Sequence, residues 1–272
     1  VCSSDLTLCD SRQRVPASAA SALARAKERG HRLFICTGRS APEVYPRFFD
    51  LGFEGIVGGA GGYAAVGSTV LLDERMPAEH VEALTRMWEE LGAFYVWQGP
   101  DQMGPSRGYL DFFVPRAGEN PQDWVEYGES VTPFVVDIEG GSFTKVTAYV
   151  RPENASMERI SAALPDGYRA IIGSVGAAGY VPFEVLPTRL SKAVGIEAVC
   201  EYLGIPLSRS VAIGDSNNDV EAVARAGVGI SIGDGCEALV EVADIVAPAV
   251  GDDGFAWALA AAGLIDEAPN PA

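Results

Sequence analysis

The chain has 272 residues, 48% of them hydrophobic and 21% charged, the balance of a globular protein with a substantial core rather than a disordered chain. Its net charge of −17 argues against a nucleic-acid or anionic-membrane partner, because phosphate backbones demand a basic surface. With only 20 Lys and Arg, any small anion it handles must be met by a local concentration of positive charge.

Taken in chain order, Pro16 to Arg29 reads as a helix with Pro in its first turn and Gly30 just past its end. Leu33 to Cys36 is a short apolar run, expected as a buried parallel strand. Ser40-Ala41-Pro42-Glu43 fits a capping box opening the next helix. Ile56 and Val57 begin another strand, which runs into the glycine-rich stretch Gly58 to Gly62. After Pro77, the spacing of Val81, Leu84, Trp88 and Leu91 predicts an amphipathic helix. Strands are then expected over Phe94 to Trp97, Tyr109 to Val114, and Phe134 to Val150 around a Glu139-Gly140-Gly141 turn. A helix over Met157 to Leu164 and strands over Tyr168 to Ile172 and Tyr180 to Leu186 follow. Ile196, Val199, Cys200 and Leu203 give the next helix one apolar face, closed by Gly204. Val211 to Ile213, Val228 to Ile232 and Ile245-Val246 read as strands, with a helix over Asn217 to Ala226.

Alternating strands and helices at both ends imply an α/β fold with a doubly wound parallel sheet, and the middle reads as an inserted α+β module. The boundaries expected are 1–77 and 187–272 for the sheet domain and 78–186 for the insert. Cys2, Cys9, Cys36, Cys200 and Cys236 are scattered and odd in number, which suits reduced thiols rather than a disulfide framework. No apolar run reaches the ~20 residues of a membrane span. Nothing at the start has a signal-peptide layout. The cytoplasm is the expected location.

Three motifs carry chemistry. In Val211-Ala212-Ile213-Gly214-Asp215-Ser216-Asn217-Asn218-Asp219, an apolar strand ends in Gly-Asp and a second Asp follows one helical turn later. Open α/β sheets bind ligands at such strand ends, and two converging carboxylates suit Mg²⁺. The same residues also suit an ordinary capped helix start. In Phe34-Ile35-Cys36-Thr37-Gly38-Arg39-Ser40, a strand ends in a hydroxyl followed by Gly38, whose backbone would help cradle a phosphate that Arg39 grips. A plain Thr-Gly turn is the alternative. Lys192, beside Ser191 at a helix start, is unfavourable for the helix dipole, so a carboxylate or phosphoryl group would have to hold it unless it is simply solvated.

In this order, with Thr-Gly-Arg at 37–39, Lys192 and Gly-Asp-Ser-Asn-Asn-Asp at 214–219, the chain resembles haloacid dehalogenase superfamily phosphatases of the Cof-type branch. The resemblance covers nearly the whole chain. It implies that Thr37 and Lys192 hold the transferred phosphoryl group and that Asn218 touches it. It also implies that Asp215 binds Mg²⁺ directly while Asp219 supports the metal site. The long separation of Thr37 from Lys192 places the insert between those motifs, as the cap of this branch. The stretch Gly58 to Tyr63 lies where the family often has an Asn-Gly loop, without the Asn.

The family opens with Asp-x-Asp-Gly-Thr, whose first Asp attacks phosphorus and whose second serves as acid and base. Aligning Thr7-Leu8 with the family's Thr-Leu puts Asp5 at the acid/base position and Ser3 at the nucleophile. Val-Cys-Ser-Ser-Asp-Leu is also what GTG-TGC-TCT-TCC-GAT-CTN encodes, which looks like a sequencing-library adapter, so residues 1–6 are expected not to be native. The resemblance thus implies Mg²⁺-dependent hydrolysis of a small phosphate monoester through an aspartyl-phosphate in the intact protein, with this chain inactive as written. The partner would be a phosphorylated metabolite (a sugar phosphate, nucleotide or cofactor phosphate), and the protein a monomer or homodimer. A non-catalytic phosphate-binding protein and a phosphomutase of the same architecture are the alternatives. Trp97, Arg107 and Lys145 are the insert residues considered for substrate choice, each also readable as structural or solvated.

Overall fold

Helix α1 (Ala17–Glu28) opens behind Pro16 and buries the stripe Ala19, Ala22, Leu23 and Ala26. It belongs to a computed structural model that describes residues 7–10, 13–117, 124–173, 175–233 and 235–267. Strand β1 (Phe34–Cys36) is buried along its whole length and pairs in parallel with β2 (Gly55–Gly58), Phe34 opposite Gly55 and Cys36 opposite Val57. Between them stand the turn Ala41–Glu43 and the one-turn helix α2 (Pro46–Phe49). The helix expected to open at Ser40 amounts to the single turn Ala41–Glu43: the Glu43 carboxylate does accept the Ser40 backbone N–H at 2.8 Å, as a capping box would, and it also accepts Gln98 and Tyr127. After β2 the chain makes the antiparallel strands β3 (Tyr63–Val66) and β4 (Thr69–Asp73), giving the order β1-β2-β3-β4. This hairpin, unforeseen in the sequence, makes the sheet mixed.

The middle of the chain begins with α3 (Ala78–Glu90), whose buried Val81, Leu84 and Trp88 are those its periodicity marked. Then come β5 (Phe94–Gln98), β6 (Met103–Pro105), α4 (Tyr109–Phe113), α5 (Val125–Val131), β7 (Lys145–Val150), α6 (Met157–Ala162), β8 (Tyr168–Ile172) and β9 (Val181–Pro187). The strands form an antiparallel sheet of order β6-β5-β7-β9-β8. Alternation along the strands sends Trp97, Val146, Ala148, Val150, Phe183 and Val185 to one face, where they pack with Trp88 and Leu84. Lys145, Thr147 and Glu184 fall on the other face.

Two expected strands differ. Tyr109 to Val114 is helical, since Tyr109, Phe112 and Phe113 are buried at helical spacing and the Tyr109 and Phe113 rings stack 5.3 Å apart. Of Phe134 to Val150, only Lys145–Val150 is strand. Thr132–Phe134 is a helical turn and Gly140 takes φ +80° in the bend before β7.

The last third restores the parallel pattern with α7 (Lys192–Leu203), β10 (Val211–Gly214), α8 (Val220–Arg225), β11 (Val228–Ile232), α9 (Glu237–Val242), β12 (Ile245–Ala247) and α10 (Gly254–Ala261). Strands β10, β11 and β12 are all parallel. One cluster joins Phe34, Val57, Ile196, Val199, Ala212, Val223 and Leu239, so α7 packs on both strand groups. Gly195 makes this close approach possible: a Cβ there would lie 2.3 Å from Val57 Cγ1. The fold is α/β, with parallel and mixed sheets.

By its contacts the chain separates into two compact units. One comprises the segments up to Arg39, Val44–Leu72 and Ser191 onward; the other is Asp73–Leu190 with the turn Ser40–Glu43. The second unit is thus longer at each end than the 78–186 drawn from sequence. Among the described residues no helix is long and apolar enough to cross a membrane, and the four described cysteines form no disulfide with one another.

Candidate active site

Strand β10 ends at Gly214, leaving Asp215 half-buried at its carboxyl end. The chain then turns back on itself: Ser216 and Asp219 form a capping box around the single turn that leads into α8. Asp219 Oδ2 accepts the backbone N–H groups of Asp215 (3.3 Å) and Ser216 (3.2 Å). A Cβ at Gly214 would lie 2.3 Å from the Asp219 Cβ, so the return requires glycine. The other Asp219 oxygen accepts Lys192 Nζ at 2.6 Å, and Asn218 Oδ1 accepts the same ammonium at 2.7 Å. Lys192 is therefore not solvated; it is 1% exposed. Burial alone would lower its pKa, but the Asp219 carboxylate, with Cys36 and Asp215, more than offsets this and holds it above the ordinary lysine value.

Thr37 follows β1 and is fully buried, its N–H donating to Val57 O at 2.8 Å. Its hydroxyl accepts Arg39 N–H at 3.1 Å, and Arg39 O accepts Gly59 N–H at 2.7 Å, which closes the Thr37–Arg39 loop over the glycine-rich stretch. A Cβ on Gly38 would stand 3.2 Å from Asn218 Nδ2, so this loop and the Asp215–Asp219 return are neighbours. Gly61, at φ +94°, packs on Ser191 O with no room for a side chain, and so sets the glycine stretch against the start of α7. The Arg39 guanidinium donates to Gln13 Oε1 at 3.1 Å and lies 5.6 Å from the Tyr45 ring centre.

Five of the sequence-marked positions thus come together: Gly38, Lys192, Asp215, Asn218 and Asp219, with Thr37 in the adjoining loop. Asp5 and Ser3 lie outside the described residues. A further group, Thr7, carries no mark in the sequence, although Thr7-Leu8 is the pair that aligns with the family's opening motif. It is fully buried and its hydroxyl donates to Asp215 Oδ1.

The donor set is hard oxygen throughout, which suits Mg²⁺ rather than a softer metal. Among the described residues no trio of His, Cys, Asp and Glu stands close enough to cage a metal unaided. Mg²⁺ binds through one or two carboxylates and keeps waters and substrate oxygens, so it does not require such a trio. The half-buried Asp215 fits such a ligand. Asp219, with both oxygens engaged by Lys192 and the backbone, fits a supporting place.

A family model for haloacid dehalogenase-like hydrolases matches residues 1–259. The chain belongs to that family. This haloacid dehalogenase-like hydrolase is 25% identical over 261 residues to YkrA of Bacillus subtilis (strain 168), a protein provisionally named a phosphatase, and the match covers 96% of each chain. Among solved structures, a protein of Geobacillus kaustophilus HTA426 matches with TM-score 0.79 and 27% identity, over 97% of this chain and 98% of that one. A subclass IIB sugar phosphatase of the superfamily matches with TM-score 0.79 at 21% identity, over 97% and 98% of the two chains, a likeness of fold.

Proposed function

We propose that the intact protein is a Cof-type phosphatase that hydrolyses a small phosphate monoester with Mg²⁺. The observation that carries this reading is the Lys192 ammonium held between Asn218 and Asp219, with Asp215 and the Thr37–Gly38 loop beside it. In this reading Lys192, Thr37 and the Gly38 backbone bind the phosphoryl oxygens, Asn218 orients them and Arg39 shapes the loop. Asp215 holds Mg²⁺ and Asp219 positions both Lys192 and the Asp215 backbone. Bound Mg²⁺ supplies charge neutralisation at the phosphoryl group. The family's first aspartate, in whose place Ser3 stands, would attack phosphorus and form an acyl phosphate. Asp5 would give its proton to the leaving alkoxide and later take one from the attacking water. The inserted unit would act as a cap that excludes water, and the substrate would be a phosphorylated metabolite met in the cytoplasm.

On this reading the chain as written is nearly inactive. The test compares it with a version carrying Phe-Asp-Leu-Asp-Gly in place of residues 2–6, using a generic phosphate ester with Mg²⁺. The replacement should raise turnover by at least about a thousandfold, since lost nucleophiles cost that much or more. Chelation of the metal should abolish it. Equal, substantial turnover in both would overturn the reading of Ser3. Ser3 also favours a second reading, a non-catalytic phosphate-binding protein, for which phosphate binding without turnover in both versions would speak.

A further inference from the structure

The turn Ala41–Glu43 ends in a carboxylate that the proposed chemistry does not use. Glu43 is 4% exposed, and five hydrogen bonds from neutral donors converge on it. Ser40 gives its backbone N–H and its hydroxyl, both at 2.8 Å to Oε2. Gln98 Nε2 reaches both oxygens, at 2.8 and 2.7 Å, and the Tyr127 hydroxyl reaches Oε1 at 3.1 Å. Gln98 is itself fixed by Thr147 Oγ1 at 2.8 Å, and Ser130 Oγ donates to Pro42 O at 2.9 Å. The turn is therefore fastened to β5, β7 and α5, which is why it belongs to the inserted unit while Arg39, its covalent neighbour, does not.

We propose that Glu43 is a positioning residue: by fixing the turn directly after Thr37–Arg39 to the inserted unit, it holds that loop in its phosphate-binding form. Ser40 follows Arg39 directly, so a displacement of the turn is carried into the loop through a single peptide bond. Loss of these hydrogen bonds would leave buried donors unmet. The function assigned to this tie rests on the phosphate-binding reading above; the tie itself does not.

Residue-resolved amide hydrogen exchange on the full chain, compared with Glu43→Gln and Tyr127→Phe, tests it. Glu43→Gln should speed exchange at Arg39 and Gly59 by about tenfold or more. Ile213 and Ile230 in β10 and β11 should keep their rates, and Tyr127→Phe should show the same pattern more weakly. Affinity for inorganic phosphate with Mg²⁺ should fall about tenfold in Glu43→Gln. If exchange rises only in β5 and β7, or equally everywhere, Glu43 merely stabilises the insert and the proposal is overturned. Selective acceleration in a parent chain that binds no phosphate upholds the tie and overturns the phosphate-binding reading instead.

Discussion

Lys192 and Lys145 are both buried with Nζ 2.6 Å from a carboxylate, yet their surroundings differ in kind. Lys145 sits on β7 and pairs with Glu184 on the neighbouring strand, in the middle of an antiparallel sheet. Lys192 stands at the first residue of α7, beside the carboxyl end of a parallel strand, and shares its charge between Asp219 and Asn218. Asp219 in turn is held by two backbone amides and the Ser216 hydroxyl. On the proposed reading, burial and pairing alone do not mark a functional lysine, whereas placement at the carboxyl end of a parallel strand, with partners that are themselves held, does.

Substitutions should pull the two lysines apart. In the version with a restored opening motif, Lys192→Met should cut turnover by about a hundredfold to a thousandfold, the usual cost of losing one preorganised charge donor. Its stability should fall less than that of Lys145→Met, because Asp219 keeps its other donors. Lys145→Met should cost roughly 3–5 kcal/mol in denaturant unfolding, since it strands Glu184 in the sheet. Adding Glu184→Leu should recover most of that loss; a double variant as unstable as the single would show that the pair is not the cause.

Alkaline pH separates the units further. Burial, helped by Tyr127, Glu43 and Tyr109 respectively, pushes Tyr109, Tyr127 and Tyr149 well above the ordinary tyrosine value of 10.0. Groups that keep their protons longer when folded contribute stability that is whole below the unfolded pKa and is lost as pH rises past it. The inserted unit should therefore weaken above about pH 10, and tyrosinate absorbance should appear together with loss of circular dichroism. Tyr149→Phe should make that dependence shallower. Lys192, also raised, has the same sign with onset near the ordinary lysine value of 10.5. The smallest effect belongs to an exposed pair: Arg86→Ala, which breaks the contact with Glu82 at 3.1 Å, should change stability by less than about 0.5 kcal/mol.

Much of this was legible in the sequence where the signal is local. The period of Val81, Leu84 and Trp88 fixed α3, and the short apolar runs before Thr37 and Asp215 fixed the strands that carry them. Asp215 to Asp219 could be read because the return is made by consecutive residues. Tyr109–Phe113 reads as strand because aromatics favour strands in isolation, and it is the tertiary packing, the rings of Phe94 and Tyr149 included, that settles the matter. Glu43 looked like a helix cap because Ser40 lies three residues before it; its decisive partners, Gln98 and Tyr127, are distant in sequence. Thr7 was passed over because a lone threonine carries no sign of the carboxylate it meets more than two hundred residues later.

The close approach of Gly214 to Asp219 has a practical consequence for anyone varying this protein. Position 214 admits no side chain while 219 carries one, and a change at 219 takes from Lys192 its carboxylate partner and leaves only the Asn218 contact named above. A library that randomised these positions singly would meet each constraint separately and suggest three unrelated sites. They are one block, and only joint variation of 192, 214 and 219 would reveal which substitutes the architecture tolerates.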